Sequence, residues 1–499
     1  MASPTRPGER DILAELDQQK PTAFYWQLTL LATLGGFLFG YDTSNIGSAL
    51  NFVPYNLRGL AEGYLVSGAS LGAAAGAILA GPVADRFGRK TLLVVDAGIY
   101  AAGAILSAVT PDAGVLLFAR TLIGLAVGAD SAIATAYIAE YAPKERRGSL
   151  TMLQQWMITV GILLAYLIAM LIFGVWPNSA ASVGWRLVLG LGAVPALVGL
   201  VLRTQMPESP RWLLRHGRYD QVRHAMAALG AGDVSDADVR RAGQVIEQVE
   251  RGDRQRRLRA WTPGVRRALI VVCVFFIFQQ ITGINVPLYY GPHLLGPIFS
   301  GPHATLVATT VAGVQVTAIM TAVNVTSTYL GFRWIDKFGR RKLAMGGYAG
   351  MIVFAGVSAI GLGLLSGTAR LAVIMIGLDF FIASFAVGVG GTGWTLQGEV
   401  FPTAVRGQAA AIAATVDWLA NFALIEAFPV WQNAISLGGV MLCFAALALA
   451  AVGFVYWFLP ETKGRSVEEI IQLFERDAAS AGPSAAGPPA GPSPGPVRP

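Results

Sequence analysis

The stretch "DRFGRK", Asp85 to Lys90, returns 251 residues later as "DKFGRRK", Asp336 to Lys342. It does not return alone. "EYAPKERRG", from Glu140, comes back as "EVFPTAVRG" from Glu399, 259 residues on, and "PESPRW", from Pro207, comes back as "PETKGRS" from Pro460, 253 residues on. Three motifs in one order at nearly one spacing mean two halves of the same topology. Parallel halves related by an axis along a membrane normal, with a binding site between them near the midplane, describe an alternating-access transporter.

The surrounding sequence is that of a membrane. Of 499 residues, 54% are hydrophobic and only 13% charged, with a mean hydropathy of +0.54, where a soluble chain carries roughly a quarter charged residues. Twelve apolar segments long enough to span a bilayer are predicted at about 24–50, 62–82, 91–110, 114–139, 150–174, 185–203, 266–292, 303–333, 343–366, 371–398, 407–431 and 434–459. The fold class expected is therefore an all-α integral membrane protein with two pseudo-symmetric six-helix bundles. The first bundle runs over 24–203 and the second over 266–459, with linker helices at 204–265, a short segment at 1–23 and a tail at 460–499, disordered from about residue 477. That tail end is Ala, Gly, Pro and Ser with no pattern from which to build a core.

Lys and Arg set the expected orientation. Arg58, Arg186 and Arg370 fall in loops on one side and Arg120 inside a span, whereas the remaining basic residues fall in the termini and the opposite loops. The positive-inside rule puts both termini in the cytoplasm of a cell-membrane protein. The formal charge of +7 then describes a membrane face and excludes a nucleic-acid reading. The polar N-terminus carries no cleavable leader pattern, and Cys273 and Cys443, both in apolar spans, suggest neither a disulfide framework nor a metal site.

Polar residues inside apolar spans carry the function. In "QQITGINVPLYY", Gln279 to Tyr290, three amides lie within seven residues of the seventh span. Gly283 and Pro287 should loosen the helix there, which membranes tolerate where neighbours or water re-satisfy the backbone. Gln279, Gln280 and Asn285 offer donors and acceptors together, which suits a hydroxylated ligand better than a fixed charge would. Tyr289 and Tyr290 add flat faces for the C–H side of a pyranose. Asp42 and Arg120 are also inside spans, where a lone charge costs roughly 2.5–3.5 kcal/mol, so they should pair. An acid so placed can titrate as its solvation and pairing alternate. In the repeated motifs, Asp85, Arg86, Arg89, Glu140, Arg147 and Glu208 form one cluster, and Asp336, Arg340, Arg341, Glu399, Arg406 and Glu461 its copy. Topology alone needs no acids beside the arginines, so both read as a salt-bridge gate that latches the cytoplasmic side while the site faces outward.

Seven motifs carry a resemblance: "GFLFGYDTSNIG", "DRFGRK", "YIAEYAPKERRGSL", "PESPRWLL", "QQITGINVPLYY", "DKFGRRK" and "PETKGRS". Together, over about residues 24–470, they resemble the sugar porter family of the major facilitator superfamily. The resemblance implies that Gln279, Gln280 and Asn285 are hexose ligands, joined by Gln155 of the fifth helix (Gln154 facing elsewhere), Asn324 of the eighth, and Trp394 as a lid in the tenth. Asn421 matches a family position in the eleventh helix, whereas Asp417 stands where the family usually has Asn. The family's proton symporters carry the acid found here as Asp42, which the resemblance makes the proton site, tuned by Arg120.

The chain also departs from the pattern. "VGVGGTGW" lacks the family's prolines, and Gly388, Gly390, Gly391 and Gly393 should make a more flexible hinge. Glu426 adds a carboxylate deep in helix eleven, which with Asp417 widens the choice to an amine or acid substrate. Asp96 and Asp379 are expected near helix ends, reaching the interface, and Asp130 is a candidate to face the cavity by its place in "VGADSAIATAYIAE". The expectation is a monomeric, proton-coupled importer of a monosaccharide, a hexose such as glucose, working in a lipid bilayer with no cofactor beyond the coupling proton. Rivals are a facilitator, a symporter of inositol or of a charged sugar-like compound, and, more remotely, a sensor. An enzyme is not expected, since no nucleophile–base or metal constellation is present.

Overall fold

The computed structural model describes residues 23–55, 57–141, 147–228, 234–245, 260–402, 405–465 and 467–480. Their regular elements are helical. The first half comprises α1 (Ala23–Ala49), α2 (Leu60–Phe87), α3 (Arg89–Val109), α4 (Ala113–Tyr141), α5 (Arg147–Val175), and a broken sixth span made of α6 (Trp185–Gly190) and α7 (Ala193–Thr204). Two short helices follow, α8 (Pro210–Arg215) and α9 (Tyr219–Ala228). The second half comprises α10 (Pro263–Ile281), α11 (Asn285–Tyr289), α12 (Gly291–Phe299), α13 (Leu306–Phe338), α14 (Arg340–Leu364), α15 (Gly367–Phe385), α16 (Gly391–Glu399) and α17 (Arg406–Phe458), before a final α18 (Val467–Ser480).

Among the described residues, ten helical segments are long and apolar enough to cross a membrane. The 27-residue α1 and the division of α17 at Ser436 bring the crossings to twelve. Ser436 has φ 64° and ψ 162°, a backbone no helix can carry, and its hydroxyl accepts the amide of Gly439 at 3.4 Å, capping the last crossing. The expected boundary at 431–434 therefore falls a few residues later. The tail is helical through Ser480, past the expected onset of disorder at 477. Ile470 and Phe474, each 1% exposed, bury one face of α18, and Ile471 and Glu475 of the same helix pack where α10 begins at Gly264.

Local chemistry places the breaks. Ser209, Thr262 and Thr305 each accept a backbone amide three residues on, with a proline opening α8 and α10, as N-caps do. The turns between α2 and α3 and between α13 and α14 pass through Gly88 (φ 105°) and Gly339 (φ 88°), so the repeated motif repeats in conformation too. The seventh span breaks because Gly283 sits at φ 89°, and an added Cβ there would lie 2.3 Å from the Phe444 ring. The two bundles meet along α2 against α17 and α5 against α13, with α1 touching α11 and α12. We call the side carrying the repeated motifs the motif face and the opposite side the far face.

Candidate substrate and ion site

The broken seventh span leaves Gln280 at the centre of a polar cluster. Its Nε2 donates to Asp417 Oδ1 at 2.7 Å. Its Oε1 accepts from Asn285 Nδ2 at 2.7 Å and from Asn421 Nδ2 at 3.0 Å. The carboxylate and the two amides hold the Gln280 amide in a single orientation. Gln280, Asp417 and Asn421 are 7%, 3% and 2% exposed, so the network is buried and each bond in it matters. Gln279 turns the other way, donating through Nε2 to the Gly390 carbonyl at 3.2 Å. Its buried Oε1 has no protein donor, which leaves an acceptor ready for a ligand hydroxyl.

The glycines ahead of Trp394 do more than loosen a hinge. Residues Ala386–Gly390 widen into a buried π-helical turn. A Cβ on Gly388 would lie 2.5 Å from the Gly347 Cα, so α14 and this turn touch backbone to backbone. A Cβ on Gly393 would lie 2.5 Å from Gln279 Oε1, so this glycine makes the room Gln279 occupies. Trp394 follows, half-buried, edge-on to Phe276 with ring centres 5.3 Å apart.

Other expected ligands are more dispersed. Gln155 is half-buried on α5, while Gln154, 9% exposed, packs beside Gly36 of α1. Asn324 on α13 accepts from Thr328 one turn on, at 3.3 Å. Tyr290 does not present a free face: it is 1% exposed, lies against Phe428 with ring centres 4.9 Å apart, and donates to the Ile425 carbonyl at 3.1 Å. It braces the end of the seventh span on α17. Tyr289, 2% exposed, is the tyrosine that turns toward Asn421.

Asp42 of α1 and Arg120 of α4 form an ion pair, 2% and 0% exposed. Arg120 also donates through Nε to the Leu65 carbonyl at 3.2 Å, while Asp42 Oδ2 and Arg120 Nη2 have no further partner. The pair and the Gln280 cluster flank Tyr289, which feels the charge of both Asp42 and Asp417.

Above this site the far face is closed by bonds between the bundles. Ser67 donates to Glu426 at 2.6 Å, Ser70 to Asn421 at 3.0 Å, and Asn51 to Thr310 at 3.0 Å. Asn51 Oδ1 lies 2.6 Å from His293 Nδ1, and the Tyr166 hydroxyl donates to the Leu288 carbonyl. Glu426 is therefore a closure residue of the far face. A carboxylate there needs a donor from the opposite bundle, which Ser67 supplies.

The sequence profile described as "Sugar (and other) transporter" matches residues 28–474. The chain belongs to this sugar transporter family. It is 35% identical over 459 residues to the glucose transporter GlcP of Staphylococcus epidermidis, covering 90% of this chain and 97% of that one. It is 32% identical over 454 residues to the arabinose-proton symporter of Bacillus subtilis, covering 90% and 94%. A solved structure, the partially occluded inward open conformation of the Escherichia coli xylose transporter XylE, is similar with a TM-score of 0.75 and 30% identity, covering 89% of this chain and all of that one. This sugar transporter is a multi-pass membrane protein of the major facilitator fold and not an enzyme.

In this sugar transporter the contacts described for the motif clusters lie within each half. Arg89 donates to Asp85 at 2.8 Å and Arg340 to Glu399 at 2.6 Å, with Asp336 at 3.0 Å from Arg340. Glu208 and Glu461 both take backbone amides as partners. Glu208 accepts the backbone amides of Arg89 and Lys90, and Glu461 those of Arg340 and Arg341. Each carboxylate sits on the N-terminus of a helix, where exposed amides and the helix dipole favour negative charge. Arg86 instead lies over the Phe87 ring at 5.3 Å and Arg341 over Tyr456 at 5.4 Å, while Arg406 donates to the Phe401 carbonyl at 3.0 Å. The side chains of Glu140 and Arg147 lie outside the described residues.

Three further acids correct the sequence reading. Asp96 reaches no interface: it is 2% exposed and bonded to Arg203 Nη1 at 2.9 Å. Asp130 faces no cavity, since it pairs with the same Nη1 at 2.6 Å. Asp379 lies twelve residues into α15, half-buried in mid-span. Arg203 is the functional-looking residue that the sequence reading missed. Its signal was a lone arginine in the apolar run "ALVGLVLRTQM", and it is 0% exposed.

Proposed function

We propose that the protein imports a monosaccharide, a hexose such as glucose, together with a proton, by alternating access. The observation that carries this reading is the pairing of two buried polar centres around Tyr289: an amide cluster built on Gln280 and an Asp42–Arg120 ion pair. The amides offer donors and acceptors to sugar hydroxyls, and the orphan Gln279 Oε1 adds one more acceptor. Asp42 takes up the proton from the far face, releases Arg120, and gives the proton up when the site opens on the motif face. The basic loops support a cytoplasmic motif face, with both termini on that side. The closed far face and the motif clusters folded within each half support a state open, or opening, inward. The names of the relatives support both sugar and proton: one is a glucose transporter and another an arabinose-proton symporter. The protein works as a monomer in the bilayer and needs no cofactor besides the proton.

The test is uptake of labelled glucose, galactose, xylose, arabinose and inositol into proteoliposomes, with and without an inward proton gradient. A membrane potential of 100 mV supplies about 2.3 kcal/mol per charge, roughly fiftyfold accumulation of a neutral sugar. Wild type should accumulate at least one sugar toward that limit, and Asp42→Asn should only equilibrate it. Equal uptake with and without the gradient would make the protein a facilitator.

A further inference from the structure

Arg203, at the motif-face end of α7, stands between two carboxyls. Its Nη1 donates to Asp96 Oδ1 on α3 at 2.9 Å and lies 2.6 Å from Asp130 Oδ2 on α4. The same guanidinium donates to the Leu93 carbonyl at 2.8 Å and, through Nε, to the Leu31 carbonyl of α1 at 3.2 Å. All three side chains are buried, at 0% for Arg203, 2% for Asp96 and 4% for Asp130. The charge does not balance, because one guanidinium faces two carboxyls. Among the described residues the charged groups that bear on the pair are only these three, and α1 contributes backbone at Leu31 and Gly35 with no titratable side chain. Each acid turns one oxygen to Arg203 and leaves the other, Asp96 Oδ2 and Asp130 Oδ1, without a donor. The two carboxyls converge on one nitrogen, Arg203 Nη1, so they are close neighbours. Two buried carboxyls crowded on one guanidinium nitrogen hold one proton between them, because like charges at short range do not both ionise.

The cluster shares the first bundle with the Asp42–Arg120 pair. Arg120 and Asp130 lie ten residues apart on α4, about 15 Å along the helix axis. Tyr100 stands one turn beyond Asp96 on α3, and its hydroxyl donates to the Leu38 carbonyl at 2.9 Å, one turn before Asp42 on α1. The Tyr41 hydroxyl, also buried, has no partner. A polar row thus runs through the first bundle from Asp42, past Tyr100, to the Asp96–Asp130 pair. It ends beside Thr204 and Gln205, which are exposed at the motif face.

We propose that Asp96 and Asp130, sharing one proton under the fixed charge of Arg203, form a second proton station on the exit side of Asp42. This rests on the proposed symport. In each cycle the pair passes its proton to the cytoplasm and is refilled by the proton leaving Asp42, whose carboxylate returns to Arg120. One proton enters and one leaves, and Arg203 stays charged throughout.

The full-length protein in proteoliposomes tests this with labelled glucose, or the sugar identified in the uptake panel, in wild type, Asp42→Asn, Asp96→Asn and Asp130→Asn. Asp130→Asn should drop gradient-driven accumulation from roughly fiftyfold at 100 mV to about one, while equilibrium sugar exchange continues. Infrared spectra should show the C=O band of a protonated carboxyl in wild type and Asp42→Asn and lose it in Asp96→Asn and Asp130→Asn, a change that a purely structural ion cluster would not give. Accumulation in Asp130→Asn equal to wild type, or a band that survives both substitutions, overturns the second station. If Asp42→Asn also accumulates like wild type, symport through Asp42 fails, and the infrared band still judges the pair. Should neither variant of the pair fold, absence of the band from the wild-type spectrum overturns the proposal.

Discussion

Gly393→Ala is the sharpest probe of how the substrate site is built. The added methyl would sit 2.5 Å from Gln279 Oε1, 2.8 Å from Phe276 Cε1 and 3.2 Å from Phe275 Cε1. Both rings are wholly buried, so the amide is the group that must yield. Moving it breaks the 3.2 Å bond from Gln279 to the Gly390 carbonyl and shifts the free Oε1 away from the ligand. One neutral buried hydrogen bond is worth roughly 0.5–1.5 kcal/mol, or about two- to twelvefold in Kd. Equilibrium binding of labelled glucose to the purified protein should weaken by that factor, with little change in melting temperature. Gly398→Ala is the control, since its added Cβ meets nothing within 4 Å and it should bind as wild type. Wild-type affinity in Gly393→Ala, or equal weakening in both variants, would mean that these glycines act as a hinge and that Gln279 is not positioned by them.

Three other outcomes follow from named contacts. Gln280→Ala removes the partner shared by Asp417, Asn285 and Asn421. It should weaken sugar binding by about ten- to hundredfold, roughly 1.4–2.8 kcal/mol, while the protein still inserts and purifies as a monodisperse species. Ser67→Ala deletes the donor to Glu426 across the bundles; losing about 1 kcal/mol of far-face closure should raise the outward-open population about fivefold, read by labelling of a far-face cysteine probe. Glu461→Gln leaves the α14 amides an uncharged acceptor, and helix-terminus electrostatics put the cost at about 0.3–1 kcal/mol. The melting temperature should fall by a few degrees, less so in high salt, and the unchanged acid Glu208 should still hold α3.

The architecture was legible in the residues because it follows from composition and period. Spans of apolar residues must be helices in a bilayer, where no other open structure satisfies its backbone, and the motifs repeated from Asp85 and Asp336 report two like halves. The break at Gly283 was also readable, since glycine and proline inside a span have a local backbone meaning. Pairing Asp42 with Arg120 needed only the cost of a lone charge in hydrocarbon. Which face a side chain takes was not readable. These helices are apolar nearly all round, so no periodicity marks the core side. The partners of Asp96, Asp130 and Glu426 lie 107, 73 and 359 residues away in sequence, at Arg203, Arg203 and Ser67. Only the packing of α1, α3, α4 and α7 around one guanidinium turned two stray acids into a buried cluster. Only the meeting of α2 and α17 made Glu426 a closure residue. Local sequence decides where a helix begins, bends and stops, whereas a buried charge takes its meaning from the atom opposite it, which tertiary structure alone selects.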